Sequence, residues 1–369
     1  MPTFYKSIIR PLMFRIDPET AHHVTVTWGQ ALCALPMARR MIHQKYPVEM
    51  PRLEQVLMGI RFPNPIGIAA GFDKNASLTH LLQLLGFGYA EYGSITALPS
   101  AGNPRPRLFR LPADRALINR MGLNNDGAEA ICRRILKDPG FPGGINIAKT
   151  HDPDIVGDQA IRDYITSYSW ARTVADYITL NISCPNTVEG KTFEETQALA
   201  DLLDGIMETR LPDDPPLLVK FSPDLTLNRL DELTDICESH NLHGYVLSNT
   251  SAHRERLITG NAIVAKAGRG GLSGAPVFPL TLQRIAHLRA RLPYNRVLIG
   301  CGGIDSPDKA LQLLRAGANL LQIYTGLIYE GPNLISKINK SIGQQLRTAG
   351  KTSLKRWLRE QQAYQFSSS

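Results

Sequence analysis

The sequence predicts an α/β fold, a (β/α)8 TIM barrel that carries a small N-terminal helical extension. Eight short apolar runs rich in β-branched residues recur along the chain and typically end in Gly, Ser, Asn or Lys. A segment with the apolar spacing of a helix follows each of them. The 369 residues, 43% of them hydrophobic, could bury one large core and an appendage. Eight such units favour a closed barrel; an open doubly wound sheet, or two domains, are the alternatives.

The elements follow in order along the chain. Strands are predicted near residues 65–70, 89–95, 144–149, 177–183, 217–222, 244–249, 296–301 and 320–325. Helices are predicted near residues 76–85, 126–137, 157–175, 194–209, 226–240, 279–291, 307–316 and from about 332. The clearest helix start is Asp305-Ser306-Pro307, because it offers a cap residue and then proline at the first helical position.

Composition divides the chain into an N-terminal amphipathic extension (1–45), the barrel (46–343) and a basic C-terminal tail (344–369). The tail is expected to be a solvated, partly disordered end, because it is rich in lysine and arginine. In the extension, apolar residues alternate with basic ones. Short helices of this kind can lie in the headgroup layer of an anionic bilayer, although the same pattern would serve to cap or flank the barrel.

Charge and cysteine usage exclude several classes of protein. The net charge of +8 is concentrated in patches that could attract nucleic acid, anionic lipid or a phosphorylated cofactor, but no nucleic-acid-binding module is present. No apolar run reaches the ~18 residues of a spanning helix, and the N-terminus lacks the pattern of a signal peptide. The five cysteines are far apart, so we predict an intracellular protein with no disulfide framework and no metal.

The hexapeptide Asn181-Ile182-Ser183-Cys184-Pro185-Asn186 closes the fourth predicted strand and places two carboxamides around one thiol. A carboxamide offers donors and an acceptor without charge, and a thiolate can take a proton. Such a group could hold a planar polar ring beside a base. A lone cysteine is more often a buried, inert side chain, so this interpretation depends on the fold bringing the hexapeptide to a pocket.

Glycine clusters fall where later strands end, which in a barrel is the face that carries the chemistry. They are Gly270–Gly274, Gly300–Gly303 and Tyr324-Thr325-Gly326. Glycine there lets backbone N–H groups approach phosphate oxygens, so a phosphate-bearing cofactor is predicted. Other strand ends carry polar groups that suit an anionic heterocycle and an isoalloxazine ring, namely Lys74, Ser94, Thr96, Asn146, Lys220 and Asn249.

These segments together resemble the dihydroorotate dehydrogenase family, in particular its membrane-associated, quinone-using branch. The resemblance spans about residues 3–343. The motifs that carry it are Asn64–Lys74, Pro106–Arg110, Ile118–Asn125, the hexapeptide, Gly270–Gly274 and Gly302-Gly303-Ile304. The stretch Asp17–His22 resembles the extension of the quinone branch, which cytosolic relatives lack.

The resemblance implies one cofactor and one substrate, each with its own residues. Flavin mononucleotide (FMN) would be bound by Ala70, Gly71, Lys74, Ser94, Asn146, Asn181, Lys220, Ser248, Gly271, Gly303, Tyr324 and Thr325. Dihydroorotate would be bound by Lys74, Asn119, Arg120, Met121, Gly122, Leu123, Asn181, Asn186, Asn249 and Thr250.

Cys184 is the candidate catalytic base that removes the proton from C5 of dihydroorotate while the hydride at C6 passes to the flavin. Serine is ordinary at this position in the quinone branch and cysteine in the cytosolic branch, so the chain combines features of both. Three further departures are Leu123 where phenylalanine is usual, Ala148-Lys149-Thr150 where Gly-Lys-Asn is usual, and Ser94 in place of threonine. None removes a group that the reaction requires.

For the extension, the resemblance implies a quinone tunnel between two helices and a peripheral position on the cytoplasmic side of the inner membrane. His22, Arg107 and Tyr324 are candidates near the quinone head. The alternatives are a flavin barrel that uses fumarate, NAD or a partner protein as acceptor or acts on another pyrimidine or an enoate, and a noncatalytic flavin- or nucleic-acid-binding scaffold. The absence of a nicotinamide fingerprint weighs against an internal NAD domain.

Overall fold

A closed barrel of eight parallel strands is the centre of the fold in the computed structural model. The structure describes residues 4–46, 50–135, 140–183, 193–255 and 257–367. The barrel strands are β3 (Ile66–Ile68), β4 (Tyr89–Ile95), β7 (Gly143–Ile147), β8 (Tyr177–Asn181), β9 (Leu217–Phe221), β10 (Gly244–Leu247), β12 (Val297–Cys301) and β13 (Leu320–Ile323). They pair in chain order, and β13 returns to β3. All eight predicted strands are therefore confirmed.

Five short strands outside the barrel were not predicted. Two form a hairpin, β1 (Gln55–Leu57) and β2 (Ile60–Phe62), and three form an antiparallel sheet in the order β11–β6–β5. The sheet strands are β5 (Leu108–Leu111), β6 (Ala116–Asn119) and β11 (Gly271–Gly274). The Gly-Leu-Ser-Gly sequence of β11 has little β propensity, so pairing with β6 decides its conformation.

The helices begin with a π-helical turn, Tyr5–Ile9, and continue with α1 (Arg10–Met13), α2 (Pro18–Ala34) and α3 (Pro36–Lys45) in the extension. The predicted barrel helices are confirmed as α4 (Thr79–Leu84), α5 (Ala128–Arg134), α6 (Asp158–Ala171), α7 (Thr196–Thr209), α8 (Leu227–Ser239), α10 (Phe278–Arg291), α11 (Pro307–Ala316) and α13 (Asn333–Thr348). Those not predicted are α9 (Asn261–Ala267), α12 (Thr325–Glu330) and α14 (Leu354–Ser367). Ser306 caps α11 as expected, since its side chain accepts a hydrogen bond from the Lys309 N–H.

Aromatic rings close the lower interior of the barrel. Tyr89 and Tyr177 are fully buried there, and Phe62 of the hairpin packs edge-on against Tyr89. A Cβ on Gly144 would lie 2.1 Å from the Tyr177 ring, so glycine is required to make room for it. With this end filled, free space remains at the carboxyl ends of the strands.

A buried ion pair fastens the extension to the barrel. The Glu19 carboxylate on α2 accepts a hydrogen bond of 2.8 Å from Arg107 Nη2, and both side chains are buried. Burial by itself would raise the pKa of Glu19, but the hydrogen bond and charge of Arg107, together with Arg105, lower it. Tyr5 adds a hydrogen bond of 2.6 Å to the Ile328 carbonyl.

The expectation of a solvated C-terminal tail is wrong for the first half of α14. Leu354, Trp357 and Leu358 are buried, and Trp357 is among the largest fully buried side chains of the described residues. The helix contacts α11 on the outside of the barrel. Charge counting missed this because the apolar residues share one face, while the lysines and arginines between them face solvent.

Candidate active site

One cavity opens at the carboxyl ends of the barrel strands, with about 1110 Å³ of free space including its mouth. The antiparallel sheet forms one wall through Leu108 and Leu117. The polar or charged side chains that line it are Lys74, Ser94, Asn119, Asn181, Lys220, Ser248, Asn249, Thr250, Ser273, Gln322, Tyr324 and Thr325.

A chain of hydrogen bonds crosses the cavity wall from strand to strand. Ser94 Oγ donates to Asn146 Oδ1 and accepts from Asn181 Nδ2 at 3.0 Å. Asn181 Oδ1 in turn accepts from Asn249 Nδ2 at 3.0 Å, and the same amide donates to the Ser183 carbonyl at 3.1 Å. Each amide group therefore has a defined orientation, which presents a fixed pattern of donors and acceptors to a planar ligand.

Glu91 anchors this chain of hydrogen bonds from below. Its carboxylate is fully buried inside the barrel and accepts hydrogen bonds from Asn146 Nδ2 at 2.9 Å and Gln322 Nε2 at 2.6 Å. Tyr177 and Thr179 each donate to it at 3.2 Å. Four donors offset much of the cost of burying this carboxyl group.

Two lysines bring positive charge to the cavity. Lys220 is 4% exposed, and its Nζ lies 4.0 Å from the Cys301 sulfur. Burial raises the pKa of the Cys301 thiol; Lys220 acts to lower it and Glu91 to raise it. Lys74, at the opposite wall, donates to Asn124 Oδ1 at 2.6 Å. A bound anion or an electron-rich ring edge would be stabilised between them.

Glycines bring backbone close together where the last strands end. Gly303 has a φ of +70°, and a Cβ there would lie 2.5 Å from Phe278 Cβ. A Cβ on Gly326 would lie 2.0 Å from the Ile304 carbonyl. Ser273 and Thr325 form a 2.8 Å hydroxyl pair on the same side. Closely packed backbone and two hydroxyls thus border this end of the cavity, a recess that suits a phosphate.

A family model described as dihydroorotate dehydrogenase matches residues 52–346. The chain belongs to the dihydroorotate dehydrogenase family. This confirms the resemblance that the motifs indicate. Among relatives named dihydroorotate dehydrogenase (quinone), that of Thermobifida fusca (strain YX) is 41% identical over 360 residues, covering 95% of this chain and 94% of the relative. That of Corynebacterium diphtheriae is 40% identical over 336 residues, covering 91% of each chain.

Solved structures of the family share the fold. The crystal structure of DHODH from Eimeria tenella in complex with ferulenol matches with a TM-score of 0.81 at 28% identity, covering 92% of this chain and 94% of that one. The ligand-free DHODH from the same organism matches with a TM-score of 0.80 at 29% identity, covering 92% and 98%.

Most residues expected to bind a flavin in a member of this family surround the cavity. Ala70, Gly71, Lys74, Ser94, Asn181, Lys220, Ser248, Gly303, Tyr324 and Thr325 line it. Asn146 lies behind Ser94 and holds its hydroxyl. Gly271 lies behind Thr250, and its carbonyl accepts from Asn119 Nδ2 at 3.2 Å.

The residues expected to bind substrate are partly brought together. Lys74, Asn119, Met121, Leu123, Asn181, Asn249 and Thr250 line the cavity. Arg120 does not; it donates to the Pro106 carbonyl at 2.9 Å and lies over the Phe109 ring. Gly122 lies against Asn103. Cys184 and Asn186 lie outside the described residues.

Sequence reasoning missed several lining residues, chiefly Gln322 and the sheet residues Leu108 and Leu117. Gln322 stands within an apolar strand between Leu321 and Ile323, and a polar residue inside such a run is the signal that could have found it. The sheet residues carry no comparable signal, because leucine in a short strand normally faces a core.

Aromatic rings connect the extension to the cavity. The His22 ring on α2 packs edge-on against Phe72 with centroids 5.2 Å apart, and Phe72 packs against Tyr324 at 5.4 Å. Burial lowers the pKa of His22 to about 4, and the charge of Lys74 acts in the same direction. His22 is therefore neutral at pH 7. Arg107 instead binds Glu19 and donates to the Ala101 and Asn103 carbonyls.

Proposed function

We propose that this protein oxidises dihydroorotate to orotate in the de novo synthesis of pyrimidines, with FMN as cofactor and a membrane quinone as electron acceptor. The observation that carries the proposal is the cavity lined by the oriented amides of Asn181 and Asn249 together with two lysines, Lys74 and Lys220. Relatives that match nearly the whole chain carry the name dihydroorotate dehydrogenase (quinone).

The residues present fit FMN. The family is flavin-dependent, and an FMN molecule needs a phosphate site, a flat polar recess and a positive charge beside its ring. Gly303, Ser273 and Thr325 supply the first, and the Ser94–Asn181 wall with buried Lys220 supplies the other two. Gln322 Oε1 is buried among the described residues without a hydrogen-bond partner, as expected where a ligand completes the site.

The substrate would bind at the mouth of the same cavity. Lys74 would offset the carboxylate of dihydroorotate, while Asn119, Asn181, Asn249 and Thr250 would bind the ring amide and carbonyl groups. The Asn249 amide donates to Asn181 and to Ser183, the residue that precedes the candidate base in the sequence. These contacts would hold the ring in one orientation while its C5 proton is removed.

Cys184 would take the C5 proton. A free cysteine thiol has a pKa of ~8.5, so a thiolate forms near neutral pH more readily than an alkoxide of serine. FMN, when bound, supplies the acceptor for the hydride that leaves C6. The two carboxamides of the hexapeptide would hold the ring during the proton transfer.

The test is anaerobic flavin reduction. The purified protein should be yellow and bleach when dihydroorotate is added. Cys184→Ala should retain FMN and lose nearly all of the reduction rate, whereas the control Cys33→Ala, on the half-buried α2 cysteine, should behave as wild type. Normal reduction in Cys184→Ala would exclude the thiol as base, and a colourless protein that cannot take up flavin would refute the activity.

The acceptor and the membrane position are proposed from the extension. Its exposed side chains include Trp28 (67% exposed), Met37 (78%) and Met41 (66%), a surface that suits the boundary between headgroups and acyl chains. None of the helices among the described residues is both long and apolar enough to cross a bilayer. Residues 1–45 would thus form a peripheral anchor on the cytoplasmic face of the inner membrane, beside the barrel of residues 46–343.

The rings of His22, Phe72 and Tyr324 would guide the quinone head towards the flavin. Reoxidation of the reduced flavin should be fastest with a short-chain quinone, slower with fumarate and slowest with NAD. Removing residues 1–40 should abolish the quinone step but not reduction by dihydroorotate. Quinone reduction that survives this deletion would refute the tunnel. Faster reoxidation by fumarate or NAD would show that this compound, and not a quinone, is the electron acceptor.

A further inference from the structure

Gln322 is a buried glutamine on β13, and its two side-chain polar atoms differ in their hydrogen bonding. It is 1% exposed and lines the cavity. Its amide nitrogen donates to Glu91 Oε2 at 2.6 Å, while its carbonyl oxygen has no hydrogen-bond partner among the described residues. A buried acceptor without a donor costs free energy, so such an atom requires an explanation.

Glu91 determines which atom of the Gln322 amide remains without a hydrogen-bond partner among the described residues. The Glu91 oxygens accept from every partner that contacts them, and the neighbouring amide therefore turns its NH2 group towards Glu91 and its oxygen away. The same rule fixes Asn146, whose Nδ2 donates to Glu91 and whose Oδ1 accepts from Ser94. Asn146 Oδ1 has its donor in Ser94, whereas Gln322 Oε1 has none in the described part of the chain.

We propose that Gln322 Oε1 accepts a hydrogen bond from the imide N–H of the oxidised flavin ring, and that Glu91 is the positioning residue that turns this oxygen towards the ring. The inference rests on the proposed function. An oxidised isoalloxazine has one ring N–H, the imide group, and that group needs an acceptor once it is out of water. Gln322 is register-paired with Cys301, whose sulfur lies beside Lys220, so acceptor and cation share one end of the cavity.

The chain offers a matched control. Gln55 is also a buried glutamine, 2% exposed, whose Nε2 donates to a carbonyl, that of Asn319, and whose Oε1 has no partner among the described residues. It belongs to the hairpin and does not line the cavity. Replacing Gln55 therefore reproduces the loss of a buried glutamine without touching the proposed contact.

The experiment compares FMN with its 3-methyl derivative, which lacks the imide N–H. Holoenzyme is equilibrated with a mixture of the two, and the bound flavins are separated and counted. Wild type and Gln55→Ala should prefer FMN by about tenfold or more, the usual effect of a buried acceptor left unpaired. Gln322→Ala leaves room for the methyl group and should lower the preference for FMN to about threefold or less. In a second measurement, Gln322→Met should release FMN on dilution about tenfold more readily than its control Gln55→Met.

Glu91→Gln tests the positioning role, because a glutamine at 91 can donate and so lets the Gln322 amide turn over. The preference for FMN should then fall below that of wild type, a change that a merely structural residue would not cause. An unchanged preference in Glu91→Gln would overturn the role of Glu91. Equal binding of the two flavins by wild type, or an unchanged preference in Gln322→Ala, would overturn the contact itself. Those results leave the proposed activity standing, which a wild type that cannot take up flavin, or whose flavin dihydroorotate does not bleach, would refute.

Discussion

Replacing Glu19 with glutamine should release α2 from the barrel while the barrel itself stays folded. The Glu19 carboxylate is buried against Arg107, which also donates to the Ala101 and Asn103 carbonyls at 2.7 and 2.9 Å. Glutamine has nearly the same shape but no charge, so the change leaves the Arg107 guanidinium buried with neutral acceptors only, namely backbone carbonyls and the new amide oxygen. The perturbation is therefore electrostatic rather than steric.

Breaking a buried ion pair by removing one partner costs about 3–5 kcal/mol. Because the Ala101 and Asn103 carbonyls still accept hydrogen bonds from Arg107, we expect a loss at the lower end of this range, about 3 kcal/mol. A loss of that size raises the population in which α2 is detached roughly 100-fold. The pair also has a pH dependence: the pKa of Glu19 is lowered in the folded protein, mainly through Arg107. Its contribution is thus complete above the ordinary glutamate pKa and is lost as the pH falls through the lowered one.

Limited proteolysis with a protease in low concentration measures the open population of α2 directly, because cleavage then follows the opening equilibrium. The matched control is Glu129→Gln, which removes an exposed pair with Arg133 on α5 and should change the rate little. Flavin reduction by dihydroorotate should be the same in both variants, and quinone reduction should fall only in Glu19→Gln. Cleavage of α2 within threefold of the wild-type rate would show that the ion pair does not hold the extension.

Two further predictions concern stability. Burial raises the pKa of the Glu194 carboxyl from 4.5 to about 7, and Glu194 Oε1 has no hydrogen-bond partner among the described residues. The folded protein should therefore lose stability as the pH rises from about 4.5 through 7. Urea unfolding should find Glu194→Gln more stable by about 3 kcal/mol at pH 8 but not at pH 4, and a constant difference would contradict this. Trp357→Ala should lower the free energy of unfolding by about 3–5 kcal/mol, because the Trp357 ring is 2% exposed. The control Trp28→Ala should lower it by about 0.5 kcal/mol or less, because Trp28 is 67% exposed. Equal losses would mean that α14 is not docked on the barrel.

The sequence by itself determined the repeating part of this protein. Each barrel strand is a short apolar run followed by an amphipathic helix, and these local patterns are strong enough to locate all eight strands. The polar residues at strand ends were found for the same reason, because the carboxyl ends of parallel strands share one face. The resemblance to the family named twelve residues for FMN, and ten of them line the cavity.

Only the tertiary structure decided contacts between segments far apart in sequence. Gly271–Gly274 becomes a strand because β6 pairs with it, and the basic end of the chain becomes a docked helix because Trp357 finds an apolar surface on the barrel. The orientation of Gln322 depends on a carboxylate 231 positions away. Such effects arise from pairing, burial and hydrogen-bond polarity in three dimensions, which composition and periodicity do not encode.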